Sequence, residues 1–480
     1  MSHRHSYDAV VVGAGPNGLS AAIVIAKTGR SVLVLEGQST IGGGARSAEL
    51  TLPGFIHDTG SAVHPLGVGA PFFPSLPLEH HGLEWIYSPA ALAHPFDDSP
   101  PAMLRSSIEE TGRSLGADAD RYDRLMRPFV EHWDEIAADS LGPVHLPKHP
   151  FVMGRFGLSA LRSMRSLAES RFHGEQARGL MAGLGAHSIM PLTHIATASI
   201  GLVLATVAHR SGWPSPKGGA QRISDALASY LRTLGGEIVT DTPIASLREL
   251  PTSRVVLLDL TARNALRVGG ESFSPRYREA LSRYRLAPGV FKVDWALSAP
   301  VPWRDDECAQ AATVHLGGTL EELVASETAP WQGEHAERPF VLLAQPSLFD
   351  RSRAPTGSQT LWAYCHVPNG SEVDMCERIE GQIERFAPDF RDCILARHVT
   401  KASELHLGNE NLVGGDIIGG ANTLRQLFFR PVMRSNPYKT SVKGVYLCSS
   451  STPPGAGVHG LCGMFAARAA LEELEKDGAS

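Results

Sequence analysis

The sequence predicts an α/β fold of Rossmann type, its parallel sheet assembled from separated stretches of chain, with a second domain of mixed α+β structure. Three observations carry this. Residues 7–36 read as strand, glycine-rich turn, helix and strand in direct succession. Near the other end, residues 444–452 form a buried strand that feeds a second glycine-rich turn and a helix. Between them the chain turns mostly helical and later strand-rich, so the sheet is interrupted by another unit.

The opening unit has a physical role for each part. Residues 7–12 are an apolar strand, and Gly13-Ala14-Gly15-Pro16-Asn17-Gly18 is a G-x-G-x-x-G turn. Gly13 permits the turn, Gly15 lets a pyrophosphate approach the backbone, and Gly18 lets the helix pack on the strand. The helix, read over residues 19–27, offers the positive end of its dipole and free N–H groups to phosphates. Residues 31–35 form the second strand, and Glu36 at its end is placed to accept hydrogen bonds from ribose hydroxyls. These features together point to a bound dinucleotide.

Composition narrows the class. The chain has 480 residues, 43% hydrophobic and 20% charged, with a formal net charge of −6. That length implies more than one domain. No basic block is present, which argues against a nucleic-acid partner. The six cysteines form no C-x-x-C, so neither a metal site nor a dithiol centre is expected, and reduced thiols suit a cytoplasmic setting. The N-terminal residues lack the apolar core of a secretory signal. No apolar run reaches the ~20 residues that span a bilayer. The most apolar stretch, residues 195–208, reads as a buried core helix; the other readings are a wall of an apolar tunnel or peripheral contact with a membrane.

Gly42-Gly43-Gly44 follows Glu36, where backbone would pass close to a ligand, and Arg46 is placed to bind phosphate. Asp58-Thr59-Gly60 reads as a turn before the small residues Ser61 and Ala62, which would let a flat ring lie against the backbone; the plainer alternative is an ordinary turn with Asp58 bonded to its own loop. Residues 65–101 look irregular apart from a strand near 83–87, and residues 106–209 look mostly helical. A helix over 223–234 and strands at 237–240 and 254–260 return to α/β texture. Residues 286–425 carry strands at 290–297, 340–344 and 359–364 and a helix over 374–386. The expected division is 1–75, 213–285 and 426–480 for the dinucleotide domain, with 76–212 and 286–425 forming the substrate domain and its lid-like helical segment.

These glycine motifs resemble those of the phytoene desaturase-like oxidoreductases, the carotenoid desaturases and isomerases among them. The resemblance implies a glutathione-reductase-like FAD-binding domain. Gly13 to Gly18 and Glu36 would hold the ADP half, and Gly42, Gly43, Gly44 and Arg46 the pyrophosphate. Ser61 and Ala62 would pass the flavin ring, Ile244 would meet the adenine, and Ser450, Gly457, Val458 and His459 the ribityl chain and pyrimidine edge. Two departures stand out: the usual G-G-R is Gly42-Gly43-Gly44, with Arg46 as substitute, and Ser449 replaces a glycine after the late strand. The implied activity is desaturation or isomerisation of an apolar, polyene or lipid-like substrate by hydride transfer to flavin, with oxygen or a quinone as acceptor. FAD amine or amino-acid oxidation, a redox-neutral isomerase and a non-catalytic flavoprotein are the alternatives. His64 and His459 are the candidate bases, because both fall in flavin-facing motifs and histidine titrates near neutrality. Substrate identity and oligomeric state are left open.

Overall fold

The computed structural model describes residues 6–478; the five leading residues, part of the segment read above as lacking a secretory signal, and the last two lie outside it. The opening strand is Ser6–Val12, and it pairs in parallel with Val32–Leu35 on one side and Thr252–Leu258 on the other. Glu237–Val239 and Val445–Leu447 complete a five-stranded parallel sheet. Ser6–Val12, Val32–Leu35 and Val445–Leu447 are mostly buried and apolar, as strands covered on both faces are, while Glu237–Val239 at one edge is half-buried. One face packs on the helices Pro16–Ala26, Gln221–Thr233 and Leu461–Gly478; the other packs in part on Ala262–Gly269 and Pro275–Ser282.

Register is what builds the site. Val12 pairs with Leu35 and with Leu258, and Leu258 pairs with Leu447. The residues that follow these four strand ends, Gly13, Glu36, Asp259 and Cys448, therefore emerge side by side at one edge, where parallel sheets bind ligands.

The first helix starts at Pro16 rather than at Leu19. Proline's fixed φ is already helical and its missing N–H is no loss in a first turn, so the helix begins directly after Gly15. A Cβ on Gly18 would overlap the Gly13 carbonyl oxygen.

The second sheet has seven strands, in the order Ile394–Thr400, Gly289–Leu297, Gln359–Val367, Val341–Ala344, Ala311–Leu316, Ala90–His94 and Ala102–Leu104. Two of these strands lie in or just past the stretch read as irregular. Ala90–His94 and Ala102–Leu104 are buried at every position, so they lack the alternation that marks a half-exposed strand, and Pro95, Pro100 and Pro101 between them obscured the pattern. Along the sheet, side chains divide by parity. Val290, Leu342, Ala344, Trp362 and Tyr364 face the helical segment; Phe291, Val293, Val341, Leu343, Leu361 and Ala363 face the helix Cys376–Phe386. The helical segment runs as read, from Ile108–Ser114 to Thr197–Arg210. No helix among the described residues is long and apolar enough to cross a membrane.

The two ends of the chain meet where the first helix crosses the last. A Cβ on Gly463 would overlap the carbonyl oxygen of Asn17 and lie 2.9 Å from the Ala21 nitrogen. Because the obstruction is helix backbone, Gly463→Ala is expected to cost about 3 kcal/mol. The check is a lower urea midpoint at unchanged m-value; an unshifted midpoint would refute this account of the contact.

Candidate functional site

A cavity of about 1100 Å³ runs from the edge of the parallel sheet to the inner face of the seven-stranded sheet. Its polar end is the glycine turn. Gly13 has a φ of +100°, and a Cβ there would lie 3.1 Å from the Asp259 Cβ. A Cβ on Gly15 would lie 2.9 Å from Asp259 Oδ2, and one on Gly43, at φ +53°, 3.2 Å from the Gly15 Cα. Three backbone stretches thus meet with no side chain between them, which leaves a cradle for a group that binds backbone. Gly13, Gly15, Pro16 and Asn17 lie on the cavity wall, as do Gly43, Gly44 and Arg46. Gly18 and Gly42 do not: Gly18 serves helix packing, and Gly42 donates its N–H to Ala14 O at 2.9 Å within the turn.

Glu36 lies on the same wall, oriented by two backbone amides. Its Oε2 accepts from Ala14 N at 2.7 Å and its Oε1 from Gln38 N at 3.0 Å. Residues 242–245 line the wall beside it, Ile244 included. Arg46 donates to the Gly408 carbonyl and, at 3.4 Å, to Thr40 Oγ1, while its buried Nε has no partner. The buried Asn17 Oδ1 is also unpartnered. A buried donor and a buried acceptor left unmade on one wall fit a polar ligand there.

At the middle of the cavity the two motifs expected to flank a flavin come together. Ser61, Ala62 and His64 line it from one side and Ser450, Gly457, Val458 and His459 from the other. A Cβ on Gly457, at φ +132°, would lie 3.0 Å from Leu66 Cδ1. Arg430 secures the late motif from behind, donating to Ser450 O, Gln426 O, Gly420 O and Asn422 Oδ1 at 3.0–3.3 Å. Cys448 and Cys462 are buried free thiols whose pKa burial raises, so they pack as small apolar residues.

The candidate bases differ in what they have left to offer. Burial lowers the pKa of both to about 4, so both are neutral at physiological pH. His459 Nδ1 accepts the Leu461 N–H at 3.1 Å, so its one accepting nitrogen caps the final helix. Ser61 Oγ donates to Gly44 O at 3.2 Å and lies 2.9 Å from His64 Nε2. The other ring nitrogen, Nδ1, is buried without a hydrogen-bond partner.

Sequence reading missed four features of the site. Asp259 sits on the wall between Gly13 and Gly15, its Oδ2 accepting the Gly18 N–H at 2.9 Å. Burial pushes its pKa up to about 7, with the Gly18 bond opposing and Glu36 adding to the rise. Its signal is an acid that breaks an apolar run, read as lying inside a strand that ends at Leu258. Asn411 bridges that turn, accepting from Thr261 N and donating to Asp259 O, both at 2.8 Å. Asp58 does not close its own loop. It accepts from Ser47 Oγ at 2.7 Å, Ala220 N at 2.8 Å and Arg353 Nη2 at 2.8 Å, all buried or nearly so. Lys292 reaches the cavity wall, paired with buried Asp294, its ammonium 5.6 Å from the Trp362 ring centre.

The far end of the cavity is apolar. Met153, Phe156, Ile200, Val203, Leu204 and Leu342 line it, with Trp362 and Tyr364 forming an edge-on pair 5.3 Å apart. The helix Thr197–Arg210 is therefore both core and chamber wall.

The comparisons agree with this architecture. Residues 11–71 match the model of the NAD(P)-binding Rossmann-like domain. The chain is 26% identical to the Rattus norvegicus pyridine nucleotide-disulfide oxidoreductase domain-containing protein 2, over 98% of this chain and 94% of that one. It is 24% identical to the carotenoid 3,4-desaturase of Haloarcula japonica, over 99% of this chain and all of that one. The solved structure of putrescine oxidase bound to putrescine superposes with a TM-score of 0.64 at 18% identity, covering 98% of this chain and 99% of that one, and so shares the fold.

Two outcomes test the cradle. Gly15→Val puts a branched side chain against Asp259 and is expected to yield folded, colourless protein; full flavin occupancy on purification would refute the assignment. The second outcome concerns pH. A folded carboxyl with a pKa of about 7 holds a proton that the unfolded chain releases above 3.8. Stability therefore falls as pH rises through that window and levels off above it. A diphosphate nearby opposes ionisation further, so FAD affinity is expected to fall by up to about tenfold per pH unit above neutrality. Asp259→Asn should flatten that slope in a flavin-fluorescence titration; an unchanged slope would clear Asp259 of the effect.

Proposed function

We propose that this chain is an FAD-dependent oxidoreductase that dehydrogenates or isomerises C–C bonds of an apolar, polyene or lipid-like substrate, with oxygen or a quinone as electron acceptor. One observation carries the reading: a single cavity joins the glycine cradle, the meeting point of the 61–64 and 457–459 segments, and an apolar chamber. A nicotinamide coenzyme gives no reason for the second glycine turn to join the wall. The pieces fit the longer flavin dinucleotide, with Glu36 toward a ribose, Arg46 and the Gly13–Gly15–Gly43 cradle toward the diphosphate, and Ser61, Ala62, Gly457 and Val458 toward the ring.

FAD, when bound, accepts a hydride from carbon. The chain's own contribution is orientation, exclusion of water and control of protons. The chamber wall would hold the substrate mainly by apolar contact. The N-terminus of Leu461–Gly478, capped by His459, directs a positive dipole end toward the ring region and favours negative charge there. His64 is the one of the two candidate bases with an unpartnered ring nitrogen, Nδ1, and in the tautomer protonated on Nε2 it is the residue through which a substrate proton would leave.

Amine oxidation is the second reading, favoured by the aromatic pair Trp362 and Tyr364. Two features weigh against it. Lys292 already occupies the neighbourhood of the Trp362 ring that a substrate ammonium would seek. The wall carboxylates Asp139, Asp416 and Glu410 are engaged by His149, by backbone amides and by Arg267.

The test is anaerobic reduction of the holoprotein. A carotenoid-like polyene or terpenoid is expected to bleach the flavin band near about 450 nm, while primary amines leave it unchanged. Bleaching by putrescine but by no apolar compound would replace this reading with amine oxidation. Isomer conversion that needs pre-reduced flavin and consumes no acceptor would make the chain a redox-neutral isomerase.

A further inference from the structure

The helix Pro150–Ala160 separates the apolar chamber from solvent and is apolar on both faces. Met153, Phe156 and Ala160 turn inward to the cavity. Phe151 and Leu158, seven residues apart and so on one stripe, turn outward and are 92% and 80% exposed. Leu146, 91% exposed, precedes the helix, and Leu161 follows it. Ile195 joins them, because Ala196 donates its N–H to Leu161 O at 3.1 Å. Exposed Val144 and Leu161 also line the cavity, so the outer patch runs into the chamber mouth. A contiguous apolar surface of this kind marks an interaction site.

Charge identifies what it meets. Lys148, Arg155, Arg162, Arg165 and Arg171 stand against Glu169 alone between residues 145 and 173, a local excess of four positive charges in a chain whose net charge is −6. Lys148 and Arg155 are interleaved with Leu146, Phe151 and Leu158. Apolar residues set among cations on a short helix suit the interface of a bilayer with anionic headgroups. A second copy of the chain suits it less, since a two-fold contact through this patch would set cations against cations.

We propose that residues 144–161, with Ile195, seat the protein on an anionic lipid surface, so that an apolar substrate enters the chamber from the bilayer without crossing water. The entry route rests on the function proposed above; the seating does not.

The experiment uses the holoprotein and vesicles of phosphatidylcholine with or without about 30% phosphatidylglycerol. Co-sedimentation with the anionic vesicles, weakened by salt, is the expected result. The double variant Phe151→Asp/Leu158→Asp should bind at least about tenfold more weakly, with an unchanged flavin spectrum and melting midpoint. Lys148→Glu/Arg155→Glu should remove the preference for anionic vesicles. The proposal is overturned if the wild type does not sediment with vesicles, or if Phe151→Asp/Leu158→Asp binds as well. It is also overturned if the wild type is a dimer that this variant dissolves, for the patch is then a self-association face. Vesicle binding without reduction by any apolar compound would sink the substrate assignment and leave the surface standing.

Discussion

The site depends on one close approach, that of the first helix to the last. Gly463 lies against the Asn17 carbonyl, and a Cβ on Gly460 would meet the Ser20 hydroxyl. At Gly463 only hydrogen fits, and there the two helices touch backbone to backbone. The turns just before them, Gly13–Gly15 and Gly455–Gly457, are thereby held on one cavity although some 440 residues of chain separate them. Leu19, Ile23, Met464 and Ala467 bury the contact. A side chain wedged between the helices would move the C-terminal turn away from Leu66 and open the cavity at its middle, where ring and substrate would meet in the function proposed above.

The second constraint is electrostatic. Asp58 and Arg353, both fully buried, gather strands and turns around one ion pair: Ser47 and Ala220 bond the carboxylate, and the Ile56 carbonyl accepts from the guanidinium. Burying such a pair gains little stability, because desolvation offsets much of the attraction, but leaving either partner alone is costly. Its effect here is geometric: it fixes the loop that carries Ser61 and His64 to the connection between the strands Val341–Ala344 and Gln359–Val367 of the seven-stranded sheet. It also acts on protons, with opposite signs at two histidines: at His57 the Arg353 charge adds to burial and outweighs Asp58, whereas at His64 Asp58 opposes burial more than Arg353 adds to it.

The dinucleotide end of the fold was legible because its signals are local. Glycines at fixed offsets, apolar strands and an acid at a strand end all lie within thirty residues, and local pattern survives folding. The late motif was legible for the same reason. Where reading failed, the cause was distance or burial. Ala90–His94 is apolar on both faces and shows no period. Asp58 looked like a turn residue because its partners Ala220 and Arg353 are 162 and 295 positions away. Asp259 gains its meaning from register alone, since only the alignment of Val12 with Leu258 sets it beside the glycine turn. The two candidate histidines had equal standing in sequence, and a single bond from the Leu461 amide separates them.

Charge is distributed along the cavity in a way that bears on substrate. Glu36, Arg46 and Asp259 gather at the nucleotide end, while Met153, Phe156, Ile200 and Val203 dominate the other. Lys292, a cation on the cavity wall, is paired with Asp294. A charged substrate would lose its hydration on entering and find no free counter-charge, a loss that apolar contact does not offset. An extended hydrocarbon loses nothing comparable, and each CH₂ buried gains about 0.8 kcal/mol. Selection by desolvation alone is tolerant of length and shape, so this chamber would rank substrates by apolar area before chemistry intervenes. In the function proposed above, position along the chamber would decide which bond lies beside the ring, and Trp362, Tyr364 and Leu342, which line it, would bear on regiochemistry.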